Sequence, residues 1–205
     1  MNKLLVLLNT LFLAACSVFG MPSVEEAGYD VLKKHDTIQI RQYKPLLAAQ
    51  TEVDASYDEA SKKAFQRLFD YISGNNKAQQ KIAMTAPVIQ EKQSEEIAMT
   101  APVFQEKSGK TWFMSFVLPA DYTLATAPVP LDCTIVLKEI PSKKVAVLSY
   151  TGFLSEQAID EKTSELKSWL DANGYKAISS PRSAGFDPPW TLSFLRRNEV
   201  HIDVE

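Results

Sequence analysis

Ser56-Tyr57-Asp58-Glu59-Ala60-Ser61-Lys62-Lys63-Ala64-Phe65-Gln66-Arg67-Leu68-Phe69-Asp70-Tyr71-Ile72-Ser73-Gly74-Asn75 is the stretch on which the fold turns. Ser56 and Glu59 stand at the spacing of a capping box. Tyr57, Ala60, Ala64, Phe65, Leu68, Phe69 and Ile72 recur at helical spacing on one face, and Gly74-Asn75 supplies a stop. Before this helix, Ile38 and Ile40 alternate with Gln39 and Arg41, the pattern of a strand with one buried face, and Leu46 to Val53 is a second apolar run.

The same order returns downstream. Ile135 and Leu137 alternate in one strand, Val145 and Val147 in the next. Ser155 opens a second helix carrying Ala158, Ile159, Leu166, Trp169 and Leu170, which closes at Asn173-Gly174. Each half ends on Trp-x-x-Ser-Phe, at Trp112 to Phe116 and at Trp190 to Phe194, which predicts matching closing strands. Neither half has enough residues for a private core. The economical arrangement packs two β-β-α-β units about a pseudo-two-fold, an α+β fold with two main helices.

A shorter repeat lies inside the first half. Ile82-Ala83-Met84-Thr85-Ala86-Pro87-Val88 recurs as Ile97-Ala98-Met99-Thr100-Ala101-Pro102-Val103, and Gln90-Glu91-Lys92 as Gln105-Glu106-Lys107. A tandem hairpin is the simplest reading, with Gln93 to Glu96 as its turn and each proline at a strand edge or end.

The N-terminus reads as an address. Met1-Asn2-Lys3 precedes an apolar run from Leu4 to Ala15, too short for the roughly 20 residues of a bilayer span. It ends Leu13-Ala14-Ala15-Cys16 and resembles a lipoprotein signal. That resemblance implies a signal peptide over 1–15, lipid on Cys16, a tether over 16–27 and a folded domain over 28–205. Ser17 after the cysteine implies outer-membrane sorting, with the domain facing the periplasm of a bacterial envelope. The formal net charge is −3 over 205 residues, and loss of Lys3 brings the mature chain near −4, which argues against nucleic-acid partners. Cys133 is the other cysteine, so the fold rests on core packing rather than disulfides.

Four places resemble the SOUL haem-binding family over about Tyr29 to Glu205. They are Ile38-Gln39-Ile40-Arg41-Gln42-Tyr43; Lys81-Ile82-Ala83-Met84-Thr85-Ala86-Pro87-Val88; Ser115-Phe116-Val117-Leu118-Pro119; and Phe186-Asp187-Pro188-Pro189-Trp190 taken with Arg196-Arg197-Asn198-Glu199. The resemblance implies a distorted antiparallel β-barrel-like sheet with two helices. It also implies binding of haem, porphyrin or another flat apolar small molecule in an apolar cleft, walled by the first helix and the closing loop. Phe65 and Phe69 would form one wall and Phe186 and Trp190 the other. Family members can carry lysines for the propionates where this chain has Asp70 and Thr191, so Lys63, Arg67, Arg182 and Arg196 are the substitute cations.

His35, in an exposed turn, and His201, on a polar strand face, are read as structural or solvated, and no metal ligand is assigned. No Cys-x-x-Cys, His-Glu-x-x-His, Gly-x-Ser-x-Gly or glycine-rich phosphate loop is present, which favours binding over catalysis. Two other readings stand beside it. One is an effector-binding or hydrolytic domain of the gyrase-inhibitor type, with Glu199 or a buried tyrosine as acid/base. The other is an envelope interaction protein docking through the Met-Thr-Ala-Pro hairpin.

Overall fold

The stretch from Ser56 forms the helix its spacing predicts. In the computed structural model, which describes residues 24–79, 94–188 and 190–205, helix α1 spans Tyr57–Ile72. Ala60, Ala64, Leu68, Tyr71 and Ile72 are its buried stripe. Gly74 ends it at φ 103°, a left-handed conformation that glycine adopts without a Cβ clash, and Asn75 N–H returns to the Asp70 carbonyl at 2.9 Å. The capping box is not made. Ser56 is the N-cap residue, but its side chain makes no capping bond. Helix α2 spans Glu156–Ala172, and here the Ser155 hydroxyl does accept from Ala158 N–H at 3.3 Å.

The strands are β1 (Tyr29–His35), β2 (Ile38–Tyr43), β3 (Leu46–Asp54), β4 (Asn76–Lys77), β5 (Val103–Ser108), β6 (Thr111–Val117), β7 (Val129–Pro130), β8 (Ile135–Ile140), β9 (Lys143–Tyr150), β10 (Arg182–Gly185) and β11 (Asn198–Asp203). Nine form one curled, open antiparallel sheet in the order β1-β2-β9-β11-β10-β5-β6-β3-β8, while β4 and β7 pair separately. Exchanging β2 with β8, β3 with β9, β5 with β10 and β6 with β11 reverses the eight strands after β1. That reversal is the duplication seen in the sheet, with β5 and β10 as the seam. The repeated unit is therefore β-β-α-β-β, one strand longer than expected.

One strand expectation is corrected. Trp112 to Phe116 lies in β6, but Trp190 to Phe194 is no strand. Its residues form a turn and a 3₁₀ helix at Ser193–Leu195, with Thr191 N–H bonded to the Pro188 carbonyl at 3.0 Å. The slot between β9 and β10 is taken by β11, so residues 190–194 have no strand to pair with. The partner of β6 under the pseudo-two-fold is β11, and the shared Trp-x-x-Ser-Phe is coincidence. The first Met-Thr-Ala-Pro copy, Ile82 to Val88, lies outside the described residues. The second is no exposed hairpin edge. Ile97, Thr100, Ala101 and Pro102 are buried, and only Val103 enters the sheet, which does put Pro102 at a strand's end.

Side-chain alternation divides the core. Under α1, Ala60, Ala64, Leu68 and Tyr71 meet Leu47, Ala49, Trp112, Met114 and Phe116. Under α2, Leu166 and Leu170 meet Ile38, Ile40, Ala146, Leu148, Val200 and Ile202. The other, concave face carries Tyr43, Phe104, Val117, Val145, Val147 and Ala184. Both faces of β2 and β9 are thus buried. Leu68 and Leu166 are fully buried at the two helix contacts, so Leu68→Ala and Leu166→Ala should each cost about 2–5 kcal/mol in urea unfolding. Loss of less than 1 kcal/mol at either, on that same approximate scale, would mean that its helix is not bearing on the sheet.

Candidate functional site

Helix α1 carries a ridge beside its buried stripe. Tyr57, Ser61, Phe65 and Phe69 follow one another at four-residue intervals and so line one flank. Tyr57 packs edge-on against Trp112 with centroids 5.1 Å apart, and its hydroxyl donates to the Leu154 carbonyl at 3.0 Å. Ser61 accepts from Gln105 at 2.8 Å. Phe65 packs edge-on to Phe116 at 5.3 Å and stacks on Phe69 at 5.9 Å with planes 12° apart. The ridge emerges as it proceeds, from half-buried Phe65 to Phe69 at 43% exposure. Its first and last members are separated by ~18 Å of helix, a breadth that suits a large flat molecule.

The expected site residues do not all gather here. Phe186 belongs to the concave-face cluster, and the Arg197 guanidinium covers its ring at 3.6 Å. Trp190 stands 81% exposed on the turn after β10. Lys63 and Arg67 each lie two residues from Phe65, an interval that points them to a different side of the helix. Arg67 is drawn to the Glu52 carbonyl at 3.1 Å, on the β3 side. Arg182 lies on the concave face, bound to Asp203 at 2.7 Å. Arg196 donates to the Thr191 carbonyl at 2.8 Å and lies over Phe153 at 5.3 Å. The cation on the ridge side is Lys62, exposed and three residues before Phe65. Its helical interval was readable in the sequence, but the alternation of adjacent lysines hid it.

The ionisable cluster on the concave face is structural. Arg41 and Glu199, both almost fully buried, form a two-pronged pair with both bonds at 2.9 Å. Glu199 also accepts from His201 Nε2 at 2.8 Å and from the Ser149 hydroxyl at 3.1 Å. Burial pushes the Glu199 carboxyl upward, but hydrogen bonds and charge from His201 and Arg41 overrule it and hold it down at about 2. Burial lowers the His201 imidazole to about 4 against the pull of Glu199. His201 is therefore neutral at pH 7, with its proton on Nε2 facing the carboxylate. A catalytic carboxyl would need a raised value and open access. Glu199 has neither, which removes one of the two acid/base candidates of the hydrolytic reading and leaves the buried tyrosine.

Neither histidine lies on the α1 ridge. His35 is exposed at the end of β1, 6.1 Å from the Trp169 ring beside α2. Among the described residues no group of three His, Cys, Asp or Glu side chains is placed to hold a metal. Cys133 is exposed, and Cys16 lies outside the described residues. A cavity of about 160 Å³ opens on the concave face beside Tyr43, Phe104, Arg182 and His201. It falls below the ~300–1,000 Å³ of sites that enclose cofactor-sized ligands. A groove of about 790 Å³ near the N-terminal segment is lined by Leu46, Leu47, Val117 and Tyr122, with Glu25, Glu26, Glu139 and Lys44 as its charged groups, and it holds none of the expected site residues. The α1 ridge is the surface that brings two of them, Phe65 and Phe69, together as a stacked pair. Its histidine-free surroundings do not supply an imidazole ligand for iron.

The described architecture is that of a duplicated α+β binding module, with a helical aromatic ridge on one face and a sealed ionic core on the other. The chain belongs to the SOUL family: the family model described as SOUL heme-binding protein matches residues 24–203. It is 29% identical to heme-binding protein 2 of Homo sapiens over 186 residues, covering 89% of this chain and 83% of that protein. It is 29% identical to heme-binding protein 1 of Xenopus tropicalis over 161 residues, covering 78% and 80%. Among solved structures, the EcmrR C-terminal domain aligns with a TM-score of 0.58 at 14% identity, covering 86% of this chain and 98% of that one. A hydrolase from Listeria innocua aligns at 0.54 and 11% identity, covering 85% and 94%. These two likenesses establish the shared fold.

Two outcomes follow for the ionic core. Arg41→Met leaves a buried carboxylate unpaired and should cost about 3–5 kcal/mol in denaturant unfolding, while Arg41→Met with Glu199→Leu should recover much of the loss. In acid, the unfolded chain protonates His201 near 6.5 and the folded chain only near 4, so stability falls as pH drops through that window. Glu199 adds a second loss between 4.5 and about 2. Melting temperature followed from pH 7 to pH 2 should show both phases, and His201→Gln should remove the upper one and shrink the lower, because His201 helps to hold the Glu199 carboxyl down.

Proposed function

We propose that this chain binds haem or a related tetrapyrrole on the α1 ridge, as a non-catalytic module held at the cell envelope by lipid on Cys16. The observation that carries the reading is the stacked, outward-facing Phe65–Phe69 pair, an open aromatic surface in a chain of this family. Such rings are unfavourably hydrated when left bare, and another flat apolar face that covers them relieves that cost. Phe65 and Phe69 would hold the macrocycle, and Lys62 would meet a carboxylate at its edge. Haem would bring an apolar plate, two carboxylates and an iron centre. The protein side contributes apolar contact and charge rather than an iron ligand, so haemin and metal-free porphyrin are expected to bind alike.

The envelope placement is supported by the short apolar leader and by Leu13-Ala14-Ala15-Cys16, which resembles a lipoprotein processing site, with Ser17 favouring the outer membrane. Absorbance titration of the mature chain with haemin and with metal-free protoporphyrin tests the binding. Saturable one-to-one binding of both is expected. Phe69→Ala should weaken each about tenfold, near 1.4 kcal/mol, with melting temperature unchanged because the ring is half exposed. Lys62→Glu should weaken the diacid more than its dimethyl ester. Absence of saturable binding to either ligand would overturn the reading.

A further inference from the structure

A second apolar surface lies off the ridge. Phe153, Trp190, Leu192, Phe194 and Leu195 are 55–81% exposed, on two loops that the backbone ties together. Gly152 N–H donates to the Ser193 carbonyl at 2.9 Å, and the Asn198 side chain donates to the Gly152 carbonyl at 3.0 Å. Leu195 N–H closes onto the Leu192 carbonyl at 2.9 Å, and Arg196 spans from Thr191 to the face of Phe153. This is a braced turn that presents large apolar side chains outward. Neither cavity described above is lined by any of the five.

The N-terminal segment ends at the same place. Glu26 pairs with Arg197 at 2.6 Å, and Arg197 N–H is held by Asp187 at 2.6 Å. Glu26 is ten residues beyond Cys16, so the docking point lies within ~35 Å of that cysteine however the intervening chain runs. A lipid on Cys16 would confine the 190–195 turn to a thin layer beside the bilayer. Tryptophan, phenylalanine and leucine flanked by arginine are the side chains that settle at the boundary between headgroups and acyl chains.

We propose that the 190–195 turn, with Phe153, is a bilayer-docking wedge that enters the interface of the membrane carrying the Cys16 lipid. This rests on the lipidation reading given above. The wedge fixes the domain's orientation on the membrane, which a lipid on a tether alone does not. It also sets Leu154, and through it the Tyr57 end of the α1 ridge, next to the bilayer.

The mature chain, purified with its own N-terminus, is reconstituted into phosphatidylethanolamine–phosphatidylglycerol vesicles whose acyl chains carry bromine near the interface. Mass spectrometry of the Cys16 peptide reports lipidation independently. Tryptophan emission is read against unbrominated vesicles, and Trp190→Phe isolates the Trp190 component from buried Trp112 and half-buried Trp169. Loss of most of the Trp190 emission is expected. Leu192→Ser with Phe194→Ser and Leu195→Ser should abolish that loss while the chain still floats with the vesicles. These side chains are exposed, and circular dichroism should confirm an unchanged fold.

Unquenched Trp190 in a chain with verified lipid overturns the wedge and leaves the anchor standing. If Cys16 carries no lipid, the anchor fails. The wedge is then upheld by vesicle flotation that the triple serine variant abolishes, and overturned by absence of flotation. Quenching by haemin without quenching by brominated lipid gives the turn to the small ligand and also overturns it.

Discussion

The buried pair between Arg41 and Glu199 is the constraint around which the rest is arranged. Two charges can leave water only if each meets the other with good geometry and their remaining hydrogen-bonding groups are met as well. Here Gln39 and Tyr43 take the other guanidinium groups, at 2.7 and 3.1 Å, and Ser149 and His201 complete the carboxylate. These partners come from β2, β9 and β11, three neighbouring strands. A one-residue slip of any of them would turn a charged side chain into the apolar cores under the helices. The network therefore specifies register. It also explains a neutral imidazole in the sheet: His201 gives one proton to Glu199, and its Nδ1 has no partner among the described residues, beside the rings of Tyr43 and Phe104.

Much of the fold was legible because it depends on periodicity. Both helices, and the strands around Ile38, Leu46, Trp112, Ile135 and Val145, stand where the apolar spacing put them, and the duplication was visible in their order. What escaped depended on contacts far apart in sequence. Arg41 reads as the polar face of an alternating strand, and only the pairing of β2 and β11 with opposite edges of β9 brings it to Glu199, 158 residues on. Strand β10 is four residues, Arg-Ser-Ala-Gly, with no alternation to notice. Trp190 to Phe194 failed in the opposite way. Its apolar content predicts a strand, but a strand exists only where a neighbour offers hydrogen bonds, and β11 occupies that place.

The site shows the same division. Phe65 and Phe69 are a local fact of helical spacing, and the structure finds them stacked. The family resemblance sets Phe186 and Trp190, on the closing loop, as the wall opposite them. Sheet geometry instead sends Phe186 to the concave face under Arg197, and leaves Trp190 on a turn. The two faces of the sheet thus have separate roles. The concave one carries, beside its apolar cluster, the ion pairs that hold the strands in register, and the helical one presents aromatic surface outward. On the reading proposed above, the groups that set register and those that would meet the ligand are largely different residues.

The last strand has a consequence for how the protein is made. β11 (residues 198–203) comes after every other strand in sequence, yet it lies inside the sheet between β9 and β10. Until those residues leave the ribosome, β9 and β10 each lack a neighbour and Arg41 lacks its counter-charge. The sheet therefore cannot close between β9 and β10 before β11 has been made. Without β11, the facing edges of β9 and β10 stay unpaired and open to other strands.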